Sequence, residues 1–214
     1  MNSKYVLLDL LFYVGLPFII WNYGRELLGD YPAMLISTVP GLIYALSRFI
    51  LERQFNITGL FIISSLFITT TVNVLSESAE QMLWNGVYLS LFYAMIHLFT
   101  LLIKRPLALY FAVDFVYLQG WPKKQSTPLF FEKGIFKWFQ YIQLLFVIRG
   151  VTLAGLKALL LQKYGVDGYN QMLIYRQVTE WFFSLLILGV FIYTNVPISK
   201  FIKQKKLEEK IENA

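Results

Sequence analysis

IFKWFQYIQLLFVIRGVTLAGLKALLL (residues 135–161) and QMLIYRQVTEWFFSLLILGVFIYTNV (residues 171–196), joined by QKYGVDGYN (residues 162–170), form the stretch on which the reading of this chain turns. Each apolar run is longer than the roughly 20 residues that cross a hydrocarbon core about 30 Å thick, and the joining segment has the glycines, aspartate and asparagine of a turn. Into these runs the sequence inserts Arg149, Arg176 and Glu180. A charged side chain at the bilayer centre costs roughly 2.5–3.5 kcal/mol on insertion scales, so each of the three needs a partner, a wet cavity or a function.

The remainder of the chain has the same character. The composition is 57% hydrophobic and 15% charged, with a mean hydropathy of +0.56, outside the usual balance of soluble domains. The 214 residues have room for six spans and no soluble domain. We expect an all-α polytopic membrane bundle: a single transmembrane domain over residues 1–198 and a charged, helical cytoplasmic tail over 199–214. The first five spans are Tyr5 to Trp21, Pro32 to about Arg48, Ile57 to Leu75, Met82 to Ile103 and Ile135 to Leu161. Gln171 to Val196 forms the sixth, ended by Pro197. The first is expected to be a retained span rather than a signal peptide, since no small-residue cleavage site follows it.

Between spans, Asn22–Asp30 reads as a turn, Pro40-Gly41 as a kink, and Gln119–Gly134 as a basic loop. Leu107–Leu118 is apolar but too short to cross a bilayer and bears Asp114, which predicts an interfacial or re-entrant helix. Placing both termini in the cytoplasm puts fourteen of the nineteen lysines and arginines on the inner side, the asymmetry of the positive-inside rule. The net charge of +6 is thereby explained without nucleic acid. Its expected partners are anionic lipid and either a second copy or another membrane protein.

The segments Tyr31-Pro-Ala-Met-Leu-Ile-Ser-Thr-Val-Pro-Gly-Leu-Ile-Tyr44, Glu52-Arg-Gln-Phe-Asn-Ile-Thr-Gly59, Ser78-Ala-Glu-Gln-Met-Leu-Trp84 and Lys104-Arg-Pro-Leu-Ala-Leu-Tyr110 resemble an uncharacterised bacterial family of multi-pass membrane proteins. More distantly, the short spans, an arginine closing the second, and Lys104-Arg-Pro-Leu107 are similar to intracellular septation protein A, an inner-membrane protein tied to envelope integrity. The resemblance implies the bacterial cytoplasmic membrane and supplies no catalytic residues.

Candidate chemistry is sparse. With no cysteine and the single histidine His97, thiolate catalysis and multi-histidine metal sites within the chain are excluded, and there is no phosphate-cradling glycine loop, so no cofactor is expected. On the sixth span Arg176, Glu180 and Ser184 recur every four residues beside Gln177, one polar stripe on an apolar helix. Counting from the span ends sets Arg149 near mid-membrane and Glu180 about one turn outward of the middle, so the two can pair. That pair can serve only to fix register, or it can form the path of an anionic or protonatable solute, with Arg149 binding the anion and Glu180 exchanging a proton. Asp9 and His97 are candidates for the same path, as a proton relay if they face one another. Lys104, Arg105, Asp114, Lys123 and Lys124 are candidates for lipid or partner contact, with Asp114 expected to pair with Lys104 or Arg105. Arg25, Glu26, Asp30, Lys163 and Asp167 read as a solvated outer-loop network. Three functions follow: solute or ion passage, an envelope scaffold in which the ion pair is architectural, and a membrane enzyme acting on lipid-linked substrate through Asp9, Asp114 or Glu180.

Overall fold

The computed structural model describes residues 3–51 and 56–201, and among these every regular element is helical. In chain order they are α1 (Ser3–Leu10), α2 (Leu16–Leu28), α3 (Asp30–Leu51), α4 (Ile57–Val74), α5 (Ala79–Leu102), α6 (Leu107–Leu118), α7 (Lys123–Phe131), α8 (Lys133–Tyr164) and α9 (Tyr169–Tyr193). Among the described residues five segments are long and apolar enough to span a membrane: Leu7–Leu28, Asp30–Leu51, Ile57–Val74, Ala79–Leu102 and Lys133–Phe201, the last of which contains both α8 and α9. Internal contacts divide the chain into two units, residues 1–94 with 149–181 and residues 95–148 with 182–214.

In the first unit, α1 and α2 are joined by a π-helical turn, Leu11–Gly15. Pro17 lies two residues beyond it, has no N–H, and would press its ring on the carbonyl of Tyr13 in a regular α-helix. A widened turn at that point absorbs the conflict. The helix then runs on to Leu28, so the expected turn at Asn22–Asp30 contracts to Gly29. No proline or strained glycine interrupts residues 22–28, whereas Gly29 has φ +83°, a backbone state that favours glycine. Its N–H donates to the Arg25 carbonyl and its own carbonyl accepts from Ala33, closing α2 directly onto α3. The core of this unit gathers Trp21, Ala33, Met34, Ala79, Met82, Tyr169 and Leu173. α3 continues through Pro40 to Leu51. The hydroxyl of Tyr31 donates to the carbonyls of Asn73 (2.9 Å) and Val74 (3.0 Å), two of the groups that the C-terminus of α4 leaves without helical donors.

In the second unit α5 ends on a left-handed residue, Lys104 (φ 57°), with Arg105 N–H donating to Thr100 O and Lys104 N–H to Leu101 O. That is the Schellman arrangement, followed by Pro106, which cannot extend the helix. α6 begins at once, and its orphan Ala108 N–H donates to Gln143 Oε1 at 2.9 Å. Gln143, on α8, is fully buried, and its amide nitrogen has His97 O (2.7 Å), Thr100 Oγ1 (2.6 Å) and His97 Nδ1 (3.0 Å) within reach. One side chain thus ties the end of α5 to the start of α6. Around it pack Ala108, Leu109, Ala112, Val113, Phe130, Ile135, Phe139 and Ile142.

Two expectations are corrected in this unit. The segment expected as a loop, Gln119–Gly134, contains α7. Pro122 with its fixed φ suits a helix start, and Ser126 and Phe130, four residues apart, are buried on one face. Pro197 does not end the last helix: the break falls at Thr194, helix resumes over residues 195–201, and Pro197 sits in its first turn, where a missing N–H is harmless. The tail expected to be helical falls, from residue 202 onward, outside the described residues, as do Glu52 and Arg53.

α8 and α9 are antiparallel, turning through the 3-10 segment Gly165–Gly168. Gly150 brings α8 against α5: a Cβ there would stand 2.8 Å from Ala94 Cβ and 3.2 Å from the Ser90 carbonyl oxygen. Gly155, one turn on, has nothing within 4 Å of such a Cβ. Gly150→Leu therefore destabilises the protein by about 1–3 kcal/mol through overpacking, whereas Gly155→Ala is neutral or slightly stabilising; unfolding of detergent-solubilised protein in denaturant measures both.

Candidate functional site

Glu180, on α9, receives two cations. Arg176 reaches it along the same helix, Nε to Oε1 at 3.0 Å, and Arg149 reaches it from α8, Nη2 to Oε2 at 3.5 Å. The i,i+4 spacing of Arg176 and Glu180 puts them on one face. The hairpin does the rest: Arg149 lies sixteen residues before Gly165 and Glu180 twelve after Gly168, so antiparallel helices bring them close to one level. Each carboxylate oxygen thus serves a different guanidinium.

The chain itself covers the cluster only in part. The side chains of Arg149 and Glu180 are 27% and 26% exposed, that of Arg176 48%. An ionised group facing hydrocarbon would forfeit several kcal/mol, so exposure of this extent within long apolar helices calls for water or a polar ligand.

Sequence reasoning set Lys157 aside, yet it belongs to the same cluster. Its ammonium donates to the Gly86 carbonyl (3.2 Å) and the Ser90 hydroxyl (3.4 Å) on α5 and lies within electrostatic range of Arg176 and Glu180. A signal was present. Lys157 is seven residues before Tyr164 and Arg176 seven after Tyr169, so a hairpin must put them at matching depth. Two tyrosines also line the cluster: Tyr13 is within range of both Arg176 and Glu180, and Tyr169 within range of Arg176. Tyr13 owes its place to Gly41, where a Cβ would meet its ring at 3.0 Å. Tyr169 shares a 2.8 Å hydrogen bond with Ser37.

The remaining candidates have partners of their own, and Asp9, like Glu180, lies within range of Tyr13. Asp9 Oδ1 accepts from the Tyr44 hydroxyl at 2.9 Å and is 3.7 Å from Arg48, within the first unit. His97 is in the second, bonded to Gln143 and stacked on Phe146 with ring centroids 4.9 Å apart. Asp114, 2% exposed, accepts from Lys123 at 2.6 Å, so an amine from the start of α7 reaches it, where Lys104 or Arg105 had been expected. Those two are exposed, Lys104 in the left-handed cap described above, and Lys124 is exposed as well. At the hairpin end, Arg25 bridges Asp30 (2.5 Å) and Asp167 and lies over the Trp21 ring at 5.0 Å, fastening α2 and α3 to the 3-10 turn. Among the described residues, no group of three or more His, Cys, Asp or Glu side chains converges in a way that could hold a metal ion.

Compared with family models, curated proteins and solved structures, the chain matches none. The reading of the site accordingly stands on its geometry.

If Glu180 holds both arginines, Glu180→Gln destabilises by about 1–3 kcal/mol, since it leaves several cations with no carboxylate. Arg149→Gln, which leaves Arg176 on Glu180, has a smaller effect. A double-mutant cycle on Arg149 and Glu180 should give a coupling of about 0.5–1.5 kcal/mol, typical of polar contacts between membrane helices. Denaturant unfolding of the four proteins measures it, and zero coupling would exclude an energetically meaningful cross-helix pair.

Proposed function

We propose that the chain is a six-span protein of a bacterial cytoplasmic membrane, with both termini in the cytoplasm, and that it passes a small solute or ion along the polar face of its last two spans. The count of six takes α8 and α9 as separate crossings, which their antiparallel course supports, and takes α6 as a short helix that does not cross. The orientation rests on the charge asymmetry of the loops. The bacterial setting rests on the resemblance described at the outset.

The observation that carries the passage reading is the partial exposure of Arg149, Arg176 and Glu180 in the interior of long apolar helices. A purely architectural pair would be expected closed off by packed side chains, since desolvated partners gain most from one another when water is excluded. Here half-buried Gln177 lies beside the cluster and exposed Ser184, one turn on from Glu180, extends the polar face past it. In this mechanism the arginines attract and hold the passenger, and Glu180, released from one of them, exchanges a proton or accompanies the charge.

Purified protein reconstituted in vesicles tests this. Vesicles carrying the wild type should dissipate an imposed ion or pH gradient faster than empty vesicles, and Glu180→Gln, checked for helicity and monodispersity, should slow that flux by about tenfold or more, the loss expected on removing one group that acts in the rate-limiting step. Undiminished flux in a folded Glu180→Gln protein would reject proton exchange at this residue. Vesicles that leak no faster than empty ones to any of a panel of small ions and solutes would reject passage and leave the scaffold role.

A further inference from the structure

The cluster has more cations than its own carboxylate can neutralise. Among the described residues, Arg149, Lys157 and Arg176 all act on Glu180, the one carboxylate they share, an excess of two positive charges. Lys157 has only neutral acceptors, Gly86 O and Ser90 Oγ, leaving its third proton free. Gly86 is matched to that arrangement, because a Cβ would stand 3.4 Å from the ammonium nitrogen. Arg176 uses Nε on Glu180 and Arg149 uses Nη2, so each guanidinium retains further N–H donors.

Lys157 and Arg176 share a depth about 10 Å along their helices from the turn, at 1.5 Å per residue. Arg149 enters from about two turns deeper on α8 and meets Arg176 at the Glu180 carboxylate, so two guanidinium groups and an ammonium around one carboxylate offer forked and point donors at once, the combination suited to phosphate oxygens. Two surplus positive charges also match a phosphate group, which carries about −1.5 to −2 near neutral pH. Left unfilled in an apolar surrounding, that surplus would be a standing penalty.

We propose that Arg149, Lys157 and Arg176 bind a phosphate group, with Glu180 as the internal carboxylate that the ligand partly displaces. The inference rests on the polar-site reading above and names the chemical class of its ligand. The same chemistry is offered by free phosphate and by the headgroup of an anionic phospholipid, toward which the side chains of Lys157 and Arg176, about 10 Å from the hairpin turn, can extend.

Binding is tested apart from flux, on the full chain. In neutral detergent, inorganic phosphate should raise the thermal unfolding temperature saturably, and chloride at equal ionic strength should not. In lipid nanodiscs without added phosphate, phosphatidylglycerol should protect relative to phosphatidylcholine if the ligand is a lipid. Lys157→Gln should weaken whichever effect is present by about tenfold or more, the worth of one charge-assisted hydrogen bond, and Lys157→Arg should largely restore it. Response to phosphate assigns a free ligand and response to phosphatidylglycerol alone assigns a lipid one; either supports the proposal. Wild-type protein indifferent to both overturns it without need of any variant, as does a folded Lys157→Gln with an undiminished response. The two readings fail separately: phosphate binding without flux rejects passage alone, and flux of a cation with no phosphate effect rejects the phosphate site alone.

Discussion

One carboxylate, that of Glu180, is shared by arginines from two helices, and the C-terminal hairpin depends on that sharing. In an apolar environment helices slide and rotate against one another at little expense, because lipid tails and leucine side chains attract a helix about equally well. A charged group changes this. Arg149 and Glu180 can satisfy one another only at one register and one rotation of the hairpin, so the pair fixes both, and Arg176 secures the second carboxylate oxygen from the same helix. The arrangement also leaves a surplus of positive charge at the site. The feature that orders the hairpin is therefore the same feature that gives it a capacity for ligands.

The second unit applies the same logic without charge. Gln143 is a fully buried amide among apolar side chains, and it accepts from the free N–H at the start of α6 while donating to groups at the end of α5. Helix ends leave backbone donors and acceptors unpaired, and away from water each such group is worth several kcal/mol. Tyr31 does the corresponding work at the end of α4. In both units polar side chains mark joints in the chain, and the apolar residues between them fill space with little directional preference.

The helices were legible in the sequence because length and hydropathy alone define them; α6 was expected over Leu107–Leu118 and occupies those residues. The meeting of Arg149 and Glu180 was also legible, since an antiparallel hairpin turns sequence spacing into depth. Lys157 is within reach of the same counting, seven residues before the end of α8 as Arg176 is seven after the start of α9. The extension of α2 to Leu28 and the helix α7 were not legible in this way. Polar residues with proline or glycine between them read as turn, but over residues 22–28 nothing stops the helix before Gly29, and in α7 the burial of Ser126 and Phe130 outweighs that local preference. The partner of Asp114 was misjudged because α7, which supplies Lys123, was not anticipated.

Since the chain contains no cysteine, single cysteines can report on water access without background. The most direct test of a wet polar face on the last helix is the rate at which Gln177→Cys and Ser184→Cys, on that face of α9, react with a membrane-impermeant charged thiol reagent in reconstituted protein. Val178→Cys and Leu185→Cys, one residue further round the helix, are the comparison. The first pair should react at least about tenfold faster, because ionised residues at this depth require water beside them. Equal and slow reaction at all four positions would show a sealed hairpin and contradict a polar path through the last two helices.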